Sequence, residues 1–271
     1  MVRKFSCIIL LICISFAAAS FANAADLSLE SLKTPRGVTQ KFILMVPDKP
    51  VAAVILFAGG HGVLGLKSAT EMRWGSNNFL VRSRDKFADR GFLVAVVDAP
   101  SDQKKRMNVK FRMSKDHASD IEAVATYLKR KYNLPVWLVG TSRGTLSAAN
   151  AAIGADNIDG LVLTATITKA NPDWDVASSH PDGVASMAVD EISVPTLIMS
   201  HEDDECPVTP PSGVAMLKRK LANASRSQVI LLEGGPEPEG EACEGQSEHG
   251  FYGIETEAVD EIADFIKADL P

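Results

Sequence analysis

Continuous apolar runs alternate with segments of helical periodicity along most of the chain. Each run ends at glycine or at polar residues, a pattern typical of strands buried on both faces of a parallel sheet. The predicted strands are residues 52–58, 92–97, 136–139, 161–165, 196–199 and 229–232. Helical spacing over residues 79–90, 116–131, 144 to about 155, 214–221 and 256–268 predicts the helices between and after them.

This alternation predicts an α/β fold with a mostly parallel central sheet and helices on both of its faces. It continues from about residue 40 to the end without a repeat or a linker, so we expect one domain over residues 25–271. The stretch between Thr166 and Thr196 is too short for a helical cap domain. We therefore expect a minimal cap or none.

The first residues have the features of an export signal. Arg3 and Lys4 precede the apolar run 8–16, and Ala22-Asn23-Ala24 supplies a small-residue cleavage site. The pattern predicts a signal peptide over residues 1–24 and an exported protein, periplasmic or secreted. The alternative is an uncleaved anchor, since residues 5–22 nearly reach bilayer length. No later segment is apolar for long enough to cross a membrane.

The charge of the chain argues against two classes of partner. Its 28 basic and 34 acidic side chains give a net charge of −6, which becomes −8 without Arg3 and Lys4. Nucleic acids and anionic lipids bind to basic surfaces. We therefore expect neither as a partner.

The cysteines predict a disulfide. Cys7 and Cys13 belong to the predicted signal peptide, which leaves Cys206 and Cys243. Two cysteines in an oxidising compartment usually form one bond, the alternative being two free buried thiols. No Cys/His cluster has the spacing of metal ligands, so we predict no metal site and no cofactor.

A candidate nucleophile lies between a predicted strand and a helix rich in small residues, in Gly140-Thr141-Ser142-Arg143-Gly144. A serine on such a turn has a strained backbone that projects its hydroxyl above the sheet, while flanking glycines avoid steric overlap. Ser142 needs a base and a group that orients the base. The pattern therefore predicts two further polar side chains at the same sheet edge.

His249 is the predicted base, because it lies between the strand 229–232 and the last helix. By contrast, we expect His117 to be a solvated residue at a helix start and His180 to lie in a polar loop. The orienting acid should follow the strand 196–199, where Asp203 and Asp204 are both available.

These motifs resemble those of the α/β-hydrolase superfamily, in particular its lidless members similar to dienelactone hydrolases and esterases. The similar motifs are the Gly59-Gly60-His61-Gly62 turn, the Ser142 turn, the Asp203-Asp204 loop and His249-Gly250-Phe251. The resemblance implies the chain order Ser, Asp, His. The frequent pattern His-Gly-x-x-Asp, laid over residues 200–204, favours Asp204 over Asp203, although this chain has His201 where glycine is usual.

The implied function is a serine hydrolase of carboxylic esters that forms an acyl-enzyme on Ser142. Its oxyanion hole would use the backbone N–H of Arg143 and that of Gly60 or His61. A thioesterase or peptidase with the same triad, or a non-catalytic secreted binding protein, are the alternatives. We do not expect a nucleotide site at the Gly-rich turn, because no phosphate-binding motif follows it. We expect a small-molecule or exposed ester substrate.

Overall fold

Buried parallel strands form the centre of one eight-stranded sheet in the computed structural model, which describes residues 25–270. The sheet order is β1-β2-β4-β3-β5-β6-β7-β8, in which β1 and β2 are antiparallel to their neighbours and the other pairs are parallel. The predicted mostly parallel sheet is confirmed. The strands are β1 Asp26–Lys33, β2 Thr39–Val46, β3 Ala52–Phe57, β4 Phe92–Val97, β5 Val136–Thr141, β6 Gly160–Thr164, β7 Thr196–His201 and β8 Ser227–Leu232.

Helices cover both faces of the sheet, as the alternation of elements predicts. They are α1 Phe79–Arg82, α2 Arg84–Asp89, α3 Val109–Arg112, α4 Lys115–Tyr132, α5 Gly144–Ala152, α6 Val214–Lys220 and α7 Glu255–Lys267. Apolar residues of α4, α5 and α6 form one core with the sheet, and those of α1, α2 and α7 form the other. Among these helices none is both long and apolar enough to cross a bilayer. The predicted signal peptide, with Cys7 and Cys13, lies outside the described residues.

Four local features differ from the prediction. The strand β1 was not predicted, because it is an edge strand with mostly exposed or half-buried side chains and therefore lacks a continuous apolar run. The strand β2 was not predicted either, because polar residues occupy its first three positions and only its second half is an apolar run. The predicted helix 79–90 is two helices, α1 and α2, separated at Ser83, whose φ of −94° and ψ of 3° interrupt the helical path. The short helix α3 lies in a segment for which no helix was predicted.

The segment between β6 and β7 agrees with the expectation of a minimal cap. Its helical structure consists of two 3₁₀ helices, Gly183–Ser186 and Val189–Glu191. Val184 and Val189 are buried in the same core as α4 to α6, so this segment packs beside the sheet layer. No α-helix occurs between β6 and β7 in this fully described part of the chain.

The prediction of a solvated His117 is wrong. The backbone N–H of His117 donates to the Ser114 side chain at the start of α4, as in a helix N-cap. Its ring, however, lies 5.0 Å from the ring of Phe111, and the residue is only 2 % exposed. Burial, together with the charges of Arg112 and Arg36, lowers the pKa of His117 to about 3. The His117 side of the first turn of α4 therefore packs against α3, while Lys115 and Asp116 of the same turn are exposed.

His117 should make the stability depend on pH. A histidine in the unfolded chain has a pKa of about 6.5. Between about pH 6.5 and 3, the unfolded state therefore binds a proton at His117 and the folded state does not. The free energy of unfolding should fall on acidification through this window, by up to about 1.4 kcal/mol per pH unit for one proton. His117→Phe should remove this component in urea denaturation at pH 7, 6 and 5. His180→Gln, in a surface loop, is the control, and equal slopes for His117→Phe and the wild type would contradict the prediction.

Candidate active site

Ser142 occupies a strained turn between β5 and α5. Its φ is 52°, in the left-handed region that residues other than glycine rarely adopt. A Cβ on Gly140 would lie 2.6 Å from the carbonyl oxygen of Gly144, and a Cβ on Gly144 would overlap the carbonyl oxygen of Phe57. Both positions therefore require glycine, which is the role that the sequence motif predicts for them.

Hydrogen bonds hold the Ser142 backbone in this conformation. Its N–H donates to the carbonyl oxygen of Thr164 at 3.1 Å, which joins the turn to the neighbouring strand β6. Its carbonyl oxygen accepts from the N–H and the hydroxyl of Thr145, at 2.9 and 2.6 Å. The strained residue is thus fixed from both sides.

The structure brings His249 and Asp204 together at the carboxyl edge of the sheet. His249 lies in a 3₁₀ helix, Glu248–Gly250, and its Nδ1 is 3.0 Å from Oδ2 of Asp204. Both side chains are buried. A carboxylate can only accept, so Nδ1 carries the proton in this contact and Nε2 is left as the basic nitrogen. This tautomer is the one that a general base acting on a serine requires.

A hydroxyl group that the sequence analysis missed joins this pair. The Thr209 hydroxyl donates to Oδ2 of Asp204 at 2.9 Å and also lies 3.1 Å from Nδ1 of His249. The other carboxylate oxygen, Oδ1, accepts from the N–H of Cys206 at 2.9 Å. Thr209 is five residues beyond Asp204 in an irregular loop, where no periodicity marks it. These contacts orient the carboxylate in the buried site.

Asp203, the alternative acid, points elsewhere. Its side chain is exposed, and its backbone N–H donates to Nδ1 of His201 at 3.1 Å. Since that nitrogen accepts, Nε2 of His201 donates to the carbonyl oxygen of Gly234 at 2.8 Å. His201, which replaces the usual glycine of the related motif, therefore joins the loop after β7 to the loop after β8.

The predicted disulfide between Cys206 and Cys243 is present and links the same two loops. Their Cα atoms are 4.7 Å apart, and 37 residues separate them in sequence. Cys206 is two residues after Asp204, and Cys243 is six residues before His249. Closing a loop of this length stabilises a fold by about 4 kcal/mol in the chain-entropy model. The bond therefore restrains Asp204 and His249 relative to each other.

Arg82 in α1 links the segment that contains His249 to α1 and α7. Its guanidinium donates to the carbonyl oxygens of Asn77 and Gly250, at 2.5 and 2.7 Å, and to Oε1 of Glu255 at 2.9 Å. Gly250 directly follows His249, so this contact positions the backbone next to the ring. Phe251, fully buried with a φ of 55°, packs on Phe79 with ring centroids 4.9 Å apart.

The turn over residues 59–62 lies against Ser142. A Cβ on Gly59 would be 2.8 Å from Cβ of Ser142 and 3.4 Å from its Oγ. The N–H of Gly62 donates to the carbonyl oxygen of Gly59, which closes the turn. Within residues 25–270, the N–H groups of Gly60, His61 and Arg143 have no acceptor. The predicted oxyanion donors are therefore available, with both Gly60 and His61 still eligible for the second position.

A cavity of about 350 Å³ opens beside this turn. It is lined by residues 58–64, which include the turn over residues 59–62, and by residues 75–78 before α1. Residues 243–246, next to the disulfide, complete its walls. The cavity therefore adjoins the turn whose Gly59 lies against Ser142.

A buried arginine lies beneath the turn, and the sequence analysis missed it. Arg112 is 0 % exposed and donates to the carbonyl oxygen of Ala58 at 3.2 Å and to the Ser147 hydroxyl at 2.9 Å. A Cβ on Gly62 would overlap its guanidinium. It forms no ion pair with any carboxylate in the described part of the chain. Burial, and secondarily the charge of Arg143, lowers the pKa of Arg112 to about 9.

Asp204, Cys206 and His249 also bring three metal-ligand types together, with the relevant atoms within 4.8 Å of one another. The Cys206 sulfur, however, is bonded to Cys243 and cannot act as a thiolate ligand. Nδ1 of His249 and Oδ2 of Asp204 already bond to each other. The arrangement is therefore better suited to an acid–base pair than to a metal ion.

Solved structures with this arrangement of strands and helices are numerous. An esterase from Pyrococcus furiosus aligns with a TM-score of 0.67 and 12% identity, over 91% of this chain and 92% of that chain. A dienelactone hydrolase from Anabaena variabilis aligns with a TM-score of 0.63 and 14% identity, over 92% and 100%. The chain has the α/β-hydrolase fold. A cold-adapted esterase from an Arctic intertidal metagenomic library shares the fold at a TM-score of 0.61 and 13% identity, over 92% and 95%.

Two comparisons, with protein-family models and with curated proteins, find no match. No protein-family model matches the chain. No curated protein matches it either. The α/β-hydrolase fold is therefore recognised through its three-dimensional arrangement, and the site geometry has to carry the argument about activity.

Arg112 should matter for turnover more than for stability. If the turn over residues 59–62 supplies oxyanion donors, Arg112→Met should lower kcat for a 4-nitrophenyl ester about tenfold or more and leave KM nearly unchanged. The reason is that Arg112 supports the turn and supplies positive charge there, and both would stabilise the oxyanion of the transition state. The free energy of unfolding of Arg112→Met should not fall together with kcat. Folding of the wild type has to desolvate the unpaired charge of Arg112, and the variant is spared this cost. Ser147→Ala, which leaves the charge and the Ala58 contact, is the control. A wild-type kcat for Arg112→Met would contradict this role.

Proposed function

We propose that the protein is a serine hydrolase that cleaves carboxylic esters through an acyl-enzyme on Ser142. The observation that carries the proposal is the buried contact of His249 with Asp204 at the sheet edge where Ser142 projects from a strained turn. The esterases and dienelactone hydrolase of the same fold support an ester as the substrate. Several parts of the site support individual steps of such a reaction.

In the first half of the reaction, Oγ of Ser142 forms a bond to the ester carbonyl carbon while Nε2 of His249 takes its proton. The carbonyl oxygen becomes an oxyanion, which the N–H of Arg143 and that of Gly60 or His61 stabilise, each donor by roughly 3 kcal/mol. Collapse of this intermediate breaks the bond to the alcohol oxygen, which receives the proton from His249. The acyl group remains on Ser142.

In the second half, water takes the place of the alcohol. Nε2 of His249 removes a proton from it as its oxygen attacks the acyl carbon, and the same oxyanion donors act again. The proton returns to Oγ of Ser142 as the acyl bond breaks, which releases the carboxylic acid. Throughout, Asp204 stabilises the imidazolium and holds the ring orientation.

The proposal includes export to an oxidising compartment. The Cys206–Cys243 bond supports it, because such bonds persist mainly in secreted and periplasmic proteins. The predicted signal peptide over residues 1–24 supports it from the sequence. The intact mass of protein recovered from an exporting host should correspond to a chain that begins at Ala25.

Removal of either reacting group should abolish turnover. Ser142→Ala and His249→Ala should each lower kcat/KM for 4-nitrophenyl butyrate by about a thousandfold or more, because nucleophile and base act as a unit. A fluorophosphonate probe should label the wild type at one site and leave Ser142→Ala unlabelled. Ser119→Ala, on α4 and outside the site, is the matched control. More than a tenth of wild-type activity in either variant would refute the assignment.

The two neighbouring aspartates should differ sharply in the same assay. Asp204→Asn should lower kcat about a hundredfold or more, because an amide in this position favours the wrong tautomer of His249. Asp203→Asn, with an exposed side chain, should stay within about twofold of the wild type. Comparison of an ester, a thioester and an amide with the same acyl group would then define the bond that is cleaved. Equal losses for the two aspartate variants would count against this acid.

A further inference from the structure

A second cleft lies beside the oxyanion turn and is strongly basic. Its volume is about 570 Å³, and four of its lining side chains are cationic: Lys41, Lys67, Arg73 and Lys104. We refer to it as the basic cleft. The chain as a whole is acidic, with 28 basic against 34 acidic side chains, so the average composition does not account for this concentration of positive charge.

The acidic side chain that lines the cleft offsets only part of this positive charge, because it is one carboxylate against four cations. Asp98, the carboxylate among the lining residues, is 8 % exposed. Its oxygens accept from the backbone N–H groups of Leu64, Gly65, Leu66 and Ala99, at 2.7 to 3.2 Å. The carboxylate therefore holds the loop that forms one wall, and its hydrogen-bonding capacity is used by that loop.

The cations of the cleft are mostly without acidic partners. Lys67 pairs with Glu71 on the surface. The guanidinium of Arg73 lies over the ring of Trp74, 4.2 Å from its centroid. Within residues 25–270, Lys41, Arg73 and Lys104 form no ion pair with a carboxylate. Like charges that line one concave surface repel one another, and a bound anion would relieve this repulsion.

The basic cleft adjoins the cavity beside the turn over residues 59–62. Val63 lines both the cleft and the cavity beside the oxyanion turn. The Trp74 ring packs edge-on against His61, with centroids 5.6 Å apart, and the N–H of Val63 donates to Nδ1 of His61. Burial lowers the pKa of His61, and the charges of Arg112, Arg106 and Arg143 lower it further against the opposing charge of Asp98, so positive charge also predominates around His61.

We propose that the basic cleft binds carboxylate groups carried by the part of the substrate that is not cleaved, so that the enzyme selects anionic esters. The inference rests on the proposed ester hydrolysis. It adds a specificity site formed by Lys41, Arg73 and Lys104, which lie outside the triad and the oxyanion turn. A substrate that extends from Ser142 past Val63 would place its acidic groups among these cations.

A direct binding experiment tests the cleft separately from catalysis. Calorimetric titration of the Ser142→Ala protein with tetragalacturonate, an oligomer with four carboxylates, should give saturable binding that weakens as salt is added. Maltotetraose, which has the same number of sugar units and no charge, should not bind. Lys41→Gln/Lys104→Gln in the same background should weaken the binding of tetragalacturonate about tenfold, as expected when two charged contacts are lost.

The matched control removes the same charge elsewhere. Lys49→Gln/Lys218→Gln changes two exposed lysines that do not line the cleft, and it should leave the dissociation constant unchanged. Equal weakening in both double variants would mean a general charge effect and would overturn the proposal. Absence of binding by tetragalacturonate would overturn it as well.

Competition then links the cleft to turnover. In the wild type, tetragalacturonate should inhibit hydrolysis of the neutral ester 4-nitrophenyl butyrate by raising KM, and the inhibition constant should rise about tenfold in Lys41→Gln/Lys104→Gln. Binding without any inhibition would overturn the specificity role. If the wild type hydrolysed no ester while the binding results held, the proposed function would fail and the anion site would remain, so the two failures are distinguishable.

Discussion

Close backbone contact around Ser142 is the constraint on which the rest of the site depends. Glycine at positions 59, 140 and 144 allows β3, β5 and α5 to approach more closely than any side chain would permit. A residue other than glycine with a positive φ costs on the order of 1–3 kcal/mol, and the hydrogen bonds of Ser142 to Thr164 and Thr145 hold it in place. The same contacts bring Ser142, the proposed nucleophile, and the turn over residues 59–62, the proposed oxyanion site, next to each other. Neither can be displaced without moving the sheet.

Asp204 and His249, the proposed acid and base, lack this kind of support, because Asp204 lies in a loop and His249 in a single turn of 3₁₀ helix. Covalent and polar links replace the rigidity of regular structure there. The Cys206–Cys243 bond and the His201 contact to Gly234 join the two loops, while Arg82 fixes the backbone of Gly250 to the helix layer. A displacement of about 1 Å can cost roughly a hundredfold in rate, so these links bear on catalysis as much as on stability.

Sequence analysis predicted the structural features that have a pattern within one short segment of the chain. The buried parallel strands have apolar runs of their own, and the Ser142 turn has glycines at fixed spacing. The features that were missed depend on contacts between distant segments. Nothing near His117 in the sequence shows that α3 will cover it, and nothing near Arg112 or Thr209 shows which carbonyl, carboxylate or imidazole each will meet. Among the described strands, the edge strand β1 pairs with β2 alone, and this pairing forms a strand from a segment whose own sequence pattern is weak.

His61 and His249 differ in the charged groups that surround them. A general base has to hold a proton in the transition state, so its surroundings must stabilise an imidazolium. His61 lies among Arg112, Arg106 and Arg143, whose charges, after burial, lower its pKa and oppose protonation. In the contacts of residues 25–270, by contrast, the ring of His249 has no arginine beside it and donates from Nδ1 to the carboxylate of Asp204. The cations around His61 are suited to a different task, because a developing oxyanion at the same turn is stabilised by positive charge. The charged groups around the two rings therefore support His249 as the proposed base and the turn over residues 59–62 as the proposed oxyanion site.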